Sequence, residues 1–306
     1  MKEFKLKNIL IQIHDDLDEN QDISELKRIN KELKKKFKTK ITLVYSKDYL
    51  ERNYLQQVIF TTVKLCAVII FTMVLAVLGY IGVNNYQSKV KVNYIIKELE
   101  NVMNEEPSEE KDKTGVDTDS SMINSYNKIY EINSDMSGWV NVPGTNINYP
   151  VVKAKDNSYY LTRNIYKETD YNGWVFMDYR NKGDFSDDNT ILYAHNRYSN
   201  GLMFGTLTNL RKSRWQDNKN NWNIKFNNLY KEGTWKVFSI YGIEVTSDYL
   251  ITNFLNPDDK QAFIDMLKSR SEYNFDTNVT VNDKILTLST CLDTNERFVV
   301  HAVLVK

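Results

Sequence analysis

The sequence predicts a mainly-β domain, a closed or nearly closed barrel, carried behind a single membrane-spanning helix. Three observations predict it. A long apolar run lies in the N-terminal third, a series of short β-branched and aromatic runs fills the C-terminal half, and one strong helix signal interrupts that series.

A chain of 306 residues with 42% hydrophobic content suffices for one sizeable domain and an appendage. Basic and acidic residues balance at 40 each, so no overall positive field exists to hold nucleic acid, and that partner class is set aside. The two cysteines are Cys66 and Cys291, the first inside the apolar run, so neither a disulfide nor a zinc-type cluster is expected. No Gly-rich phosphate loop, HExxH or EF-hand pattern occurs, and no cofactor or metal is called for.

Residues 1–57 read as a small strand, helix, strand unit: an apolar run Ile9 to Ile13, a charged helical pattern Ile23 to Phe37, and a strand-like Ile41 to Tyr45. Its LKRINKELKKKFK stretch fits a face for lipid headgroups or a partner, but charged helix runs are more often solvated surface. Residues 58–83 follow as the transmembrane helix. The stretch Leu65 to Val83 after Lys64 is long enough to cross about 30 Å of hydrocarbon. A cleaved signal peptide would begin within the first few residues, so an uncleaved anchor is the expectation. Lys38, Lys40, Lys47, Arg52 and Lys64 precede the span, against Lys89, Lys91 and Lys97 after it, which places the N-terminus in the cytoplasm.

Residues 84–121 divide into a helical Asn84 to Met103 and an acidic, polar tail that reads as a flexible stalk holding the following domain off the membrane. The domain itself, 122–306, opens on a short helix, Met122 to Ile132. Strand-like runs then cover Trp139–Val142, Ile147–Val152, Trp174–Phe176, Thr190–Ala194, Trp222–Phe226, Thr234–Val245, Lys284–Thr290 and Phe298–Leu304. Between the sixth and seventh, Asn256 as N-cap and Pro257 at the first helical position start a helix with Phe263, Met266 and Leu267 on one side.

The chemistry concentrates at strand ends. Thr287 to Cys291, read TLSTC, ends an apolar strand on a thiol; Arg297 follows on the next strand, and His195 ends the run Thr190 to Ala194. Nucleophile, base and oxyanion partner converge if these strands are neighbours. A lone cysteine there is more often a core thiol, and a lone arginine a surface cation. His301, inside FVVHAVLV, is the rival histidine, but its place within a strand makes it a packing or surface residue; His14 lies on the cytoplasmic side.

TLSTC with its downstream Arg, preceded by LYAHN, resembles the sortase family of cysteine transpeptidases on Gram-positive surfaces, over roughly residues 121–306. Ser289 and the inserted helix make it most similar to class B. The resemblance implies an eight-stranded barrel with its helix between strands 6 and 7. It makes Cys291 the nucleophile, His195 the general acid and base, and Arg297 the donor to substrate and oxyanion. It adds Ser289, Thr290, Asn157, Leu161, Tyr249 and Leu250 as substrate-binding positions, for which ordinary loop packing is the plain alternative. Asp293 either orients His195 or caps a turn. Only LDTNE joins Cys291 to Arg297, a shorter loop than the family's usual one.

The implied reaction cuts an NPxTx-type C-terminal sorting signal of a surface protein after its Thr, through a thioester. The acyl group then passes to an amine of a peptidoglycan precursor or a pilin, outside a lipid bilayer that anchors the enzyme. A cysteine endopeptidase that hydrolyses its thioester and a non-catalytic, membrane-tethered binding module are the alternatives.

Overall fold

The computed structural model describes residues 8–12, 40–44, 47–104, 124–291 and 295–306, with isolated helical positions between 24 and 35. The expected stalk beyond residue 104, His14 and Asp293 lie outside the described residues. The chain forms two compact units, Met1–Ile81 and Gly82–Lys306.

In the first unit, β1 (Asn8–Gln12) and β2 (Lys40–Val44) pair in parallel. Helix α1 (Lys47–Asn104) begins in this unit and continues into the second. It is the one described helix long and apolar enough to cross a membrane; its apolar window has a mean hydropathy of 2.5 and is unburied. Ile69, Phe71, Leu75 and Leu78 are all exposed.

In the second unit, the C-terminal part of α1 belongs to the barrel's own core. Val92, Ile95 and Leu99, at helical spacing, are buried in the main apolar cluster. Lys91 pairs with Asp170 at 3.2 Å, and Glu100 accepts a hydrogen bond from Asn148 at 2.8 Å. This packing face was not read from the sequence, where Asn84 to Met103 was only a juxtamembrane helix.

After α2 (Asn124–Ile132) come β3 (Met136–Asn141), β4 (Asn148–Val152), β5 (Phe176–Met177) and β6 (Asn189–Tyr193). A two-stranded lobe, β7 (Asn196–Arg197) and β8 (Leu202–Met203), leads through 3₁₀ turns and the short helix α3 (Ser213–Gln216) to β9 (Asn223–Asn228) and β10 (Thr234–Glu244). Helix α4 (Pro257–Ser269), β11 (Ile285–Cys291) and β12 (Glu296–Leu304) complete the chain. The barrel closes in the order β10, β12, β11, β6, β5, β4, β3, β9, so none of its strands is left as an open edge. All eight expected strands are present, with ends within a few residues.

Both faces of β12 are buried, and the period of two explains how. Phe298, Val300 and Ala302 enter the barrel core, while Val299 and Val303 face outward against Phe263, Ile264 and Leu267 of α4. The α4 start is as the sequence predicts: Asn256 Oδ1 accepts from the backbone N–H of Asp259 at 2.9 Å, ahead of Pro257. Lys260 on α4, buried, donates to Asp188 at 2.9 Å and to the Asp283 carbonyl at 2.8 Å, tying the helix to the starts of β6 and β11. This clamp holds the outer helix against the strands whose far ends carry the site.

Candidate active site

Strands β6 and β11 run parallel, with Ser289 opposite Tyr193. The next step is sealed by Thr290 Oγ1, which donates to the Ala194 carbonyl at 2.8 Å. One residue further along each chain, His195 and Cys291 therefore leave the same end of adjacent strands. On the other side of β11, Cys291 is the direct register partner of Arg297 on β12. Residues directly opposed across an antiparallel pair share one face of the sheet. The register thus sets Arg297 directly across from Cys291.

A groove of about 690 Å³ opens at this end of the barrel, lined by His195 and Arg297 together with the end of β6 and two loops. One loop follows β4 and supplies Asn157 and Leu161. The other follows β10 and supplies Val245, Thr246, Ser247, Tyr249 and Leu250. Ser289 and Thr290 complete the wall. All six expected substrate-binding positions thus line one groove, although the Thr290 hydroxyl is already engaged by Ala194 and Tyr249 is only 2% exposed.

His195 is part-buried, with Nε2 2.8 Å from the Leu161 carbonyl oxygen. A carbonyl carries no proton, so the nitrogen facing it must be the N–H, which leaves Nδ1 to exchange a proton. Burial pushes the imidazole below its ordinary value; the Leu161 carbonyl opposes this, and the neighbouring Arg197 cation adds to it. These surroundings favour the neutral ring.

Gly173 explains the aim of that carbonyl. At φ +63° it takes the left-handed conformation, and Trp174 N–H donates to Tyr160 O at 2.9 Å. A Cβ at Gly173 would lie 2.6 Å from Tyr160 O and 2.7 Å from Leu161 O, so only glycine lets the two segments approach this closely.

The second loop is fixed from behind. Arg270 of the α4 C-cap grips Asp248 through two hydrogen bonds, at 2.9 and 2.6 Å. Asn189, fully buried, donates to Ile251 O at 2.9 Å and accepts from Thr287 Oγ1 at 2.7 Å. Tyr249 Oη and Ser289 Oγ meet at 3.0 Å. His301 sits in the same network, fully buried, with Nδ1 2.9 Å from Thr287 Oγ1 and Nε2 2.9 Å from Tyr241 Oη. It is a packing residue with both nitrogens occupied, as its place within the strand suggests. Sequence reasoning missed Asn189, Asp248 and Arg270, because each acts on a segment remote in sequence.

Among the described residues, no group of three or more His, Cys, Asp or Glu side chains is placed to hold a metal ion.

A sortase-domain family model matches residues 140–305. The chain is 39% identical over 186 residues to Sortase B of Staphylococcus aureus, covering 59% of this chain and 75% of that protein. The crystal structure of sortase B from Bacillus anthracis in complex with AAEK1 superposes with a TM-score of 0.63 at 32% identity, over 72% of this chain and 99% of that one. A Staphylococcus aureus sortase B–substrate complex gives 0.61 at 33% identity, over 72% and 97%. The chain belongs to the sortase family, transpeptidase enzymes, and the relatives it matches are of class B.

Proposed function

We propose that this chain is a membrane-anchored class B sortase that cuts an NPxTx-type sorting signal between Thr and the next residue. The observation that carries the reading is the register of β6, β11 and β12. It brings His195, Cys291 and Arg297 to one barrel end, where His195 and Arg297 line one groove.

In the first half-reaction the Cys291 sulfur attacks the Thr carbonyl carbon, and its proton passes to Nδ1 of His195. Arg297 donates hydrogen bonds to the oxyanion, a role in which one lost donor costs about 10² or more in rate. His195, in its protonated form, gives a proton to the departing amine as the peptide bond breaks, leaving a thioester. In the second, the neutral His195 takes a proton from the incoming amine as that nitrogen attacks the thioester. The new amide forms and the thiolate leaves. The acceptor is an amine of a peptidoglycan precursor or a pilin. Helix α1 supplies the anchor, with the N-terminus cytoplasmic and the catalytic unit outside.

The test is a panel of quenched NPxTx peptides incubated with the protein and an added amine, with Cys291→Ala as control. Cysteine-dependent cleavage with ligated product supports the reading. Hydrolysis alone in the presence of amine makes the protein an endopeptidase, and no cleavage with an unreactive thiol makes it a binding module.

A further inference from the structure

Asp178, just after β5, is fully buried, which is rare for a carboxylate unless it is paired. Its oxygens receive five hydrogen bonds. Oδ1 accepts from Arg180 Nε at 2.8 Å and from the Arg180 backbone N–H at 3.0 Å. Oδ2 accepts from Arg180 Nη2 at 2.8 Å, from Asn157 Nδ2 at 3.0 Å and from Tyr193 Oη at 2.9 Å. Burial by itself pushes this carboxyl up, but the Arg180 hydrogen bonds and the others outweigh it, so it stays below the usual carboxylate range.

Two of those donors are groove residues from different segments: Asn157 from the loop after β4, and Tyr193, two positions before His195. Asn157 is held at both ends, because its Oδ1 accepts from the Tyr179 backbone N–H at 3.0 Å. A flipped carboxamide would set oxygen against carboxylate and NH₂ against N–H, so the chemistry permits one orientation only. That orientation leaves Asn157 with one unused N–H and one unused lone pair, the pair of groups that complements a peptide amide.

We propose that Asp178 is a positioning residue for substrate recognition. It locks the Asn157 carboxamide and the Tyr193 phenol so that Asn157 presents one donor and one acceptor to an amide of the bound sorting peptide. The assignment rests on the sortase reading above and deepens it at the binding step. Asp178 itself touches no substrate.

The experiment measures steady-state kcat and KM of the full chain in detergent on the best-cleaved peptide, for wild type, Asp178→Asn, Asn157→Ala and the double variant. Asp178→Asn is expected to raise KM about ten- to a hundredfold, the worth of one charge-assisted hydrogen bond, with kcat and the alkylation rate of the thiol nearly unchanged. Because Asp178 acts mainly through Asn157, adding Asp178→Asn to Asn157→Ala raises KM far less than it does alone. Asp178→Glu keeps the charge beside Arg180 but displaces the carboxylate by one methylene. It is expected to raise KM as well, and it carries the test if the Asn variant does not fold. A wild-type KM in either folded Asp178 variant, or full additivity in the double variant, overturns the assignment. So does a fall in kcat and thermal stability at constant KM, which marks a purely structural acid. A wild-type chain that cleaves no peptide overturns the sortase reading and this inference with it.

Discussion

His195 and His301 show how differently environment can treat two like side chains. His195 keeps one nitrogen on the Leu161 carbonyl and the other uncommitted at a groove. His301 has both nitrogens hydrogen-bonded in a buried network, and burial pushes its imidazole down to about 3, with the Arg270 cation adding to the effect. That folded value lies below the ordinary imidazole value of about 6.5, so between the two the unfolded chain binds the proton and the folded one does not. Stability therefore falls as pH drops from about 6.5 toward 3. In His301→Gln, thermal unfolding monitored across pH 4 to 7 is expected to start from a lower Tm at pH 7 and to depend less steeply on pH. An unchanged slope removes His301 as a source of acid lability. Cys291, His195 and Arg297 stood out in the sequence as candidates because their types can carry the proposed chemistry. Asp178, Asn189 and Arg270 were not, since their partners are set by strand register and loop packing between distant segments, which no local pattern encodes.

At the scale of elements, the site is positioned by parallel pairing of β6 with β11, antiparallel pairing of β11 with β12, and two loops held from behind. The eight barrel strands were readable because each is a β-branched or aromatic run bounded by turn residues. The helix α4 was readable because Asn256 and Pro257 give its start unambiguously. The two-residue strands β7 and β8 and the 3₁₀ turns are too short for periodicity to register. Gly173 links element to site: a methyl group there collides with the carbonyls of Tyr160 and Leu161, and the second of these orients His195. Gly173→Ala is expected to lower kcat by up to about 10²-fold, the cost of misplacing a catalytic group by about 1 Å. Rates per titratable thiol provide the check, and a wild-type rate contradicts the link between the turn and His195.

For the whole molecule, the second compact unit runs from Gly82 to Lys306, and Val92, Ile95 and Leu99 of α1 are buried in its core. Each such aliphatic contributes about 1.5 to 3 kcal/mol when fully buried. A fragment starting at Gly82 is expected to unfold at clearly higher urea than one starting near residue 115, as followed by tryptophan fluorescence. Equal midpoints would show that this helix does not stabilise the barrel. That packing was not legible in the sequence, since a helix between an apolar run and a charged segment carries the same amphipathic pattern whether or not a barrel lies beside it.

On the proposed function, Cys291 becomes acylated by the amino-terminal part of a sorting peptide. Intact-protein mass spectrometry after brief mixing with an NPxTx peptide tests it most directly. The expected result is a mass increase equal to the acyl fragment ending in Thr, localised to Cys291, absent in Cys291→Ala and discharged by added amine with formation of the ligated product. A protein that turns over the peptide with no adduct at Cys291, or whose Cys291→Ala variant is equally active, would contradict it.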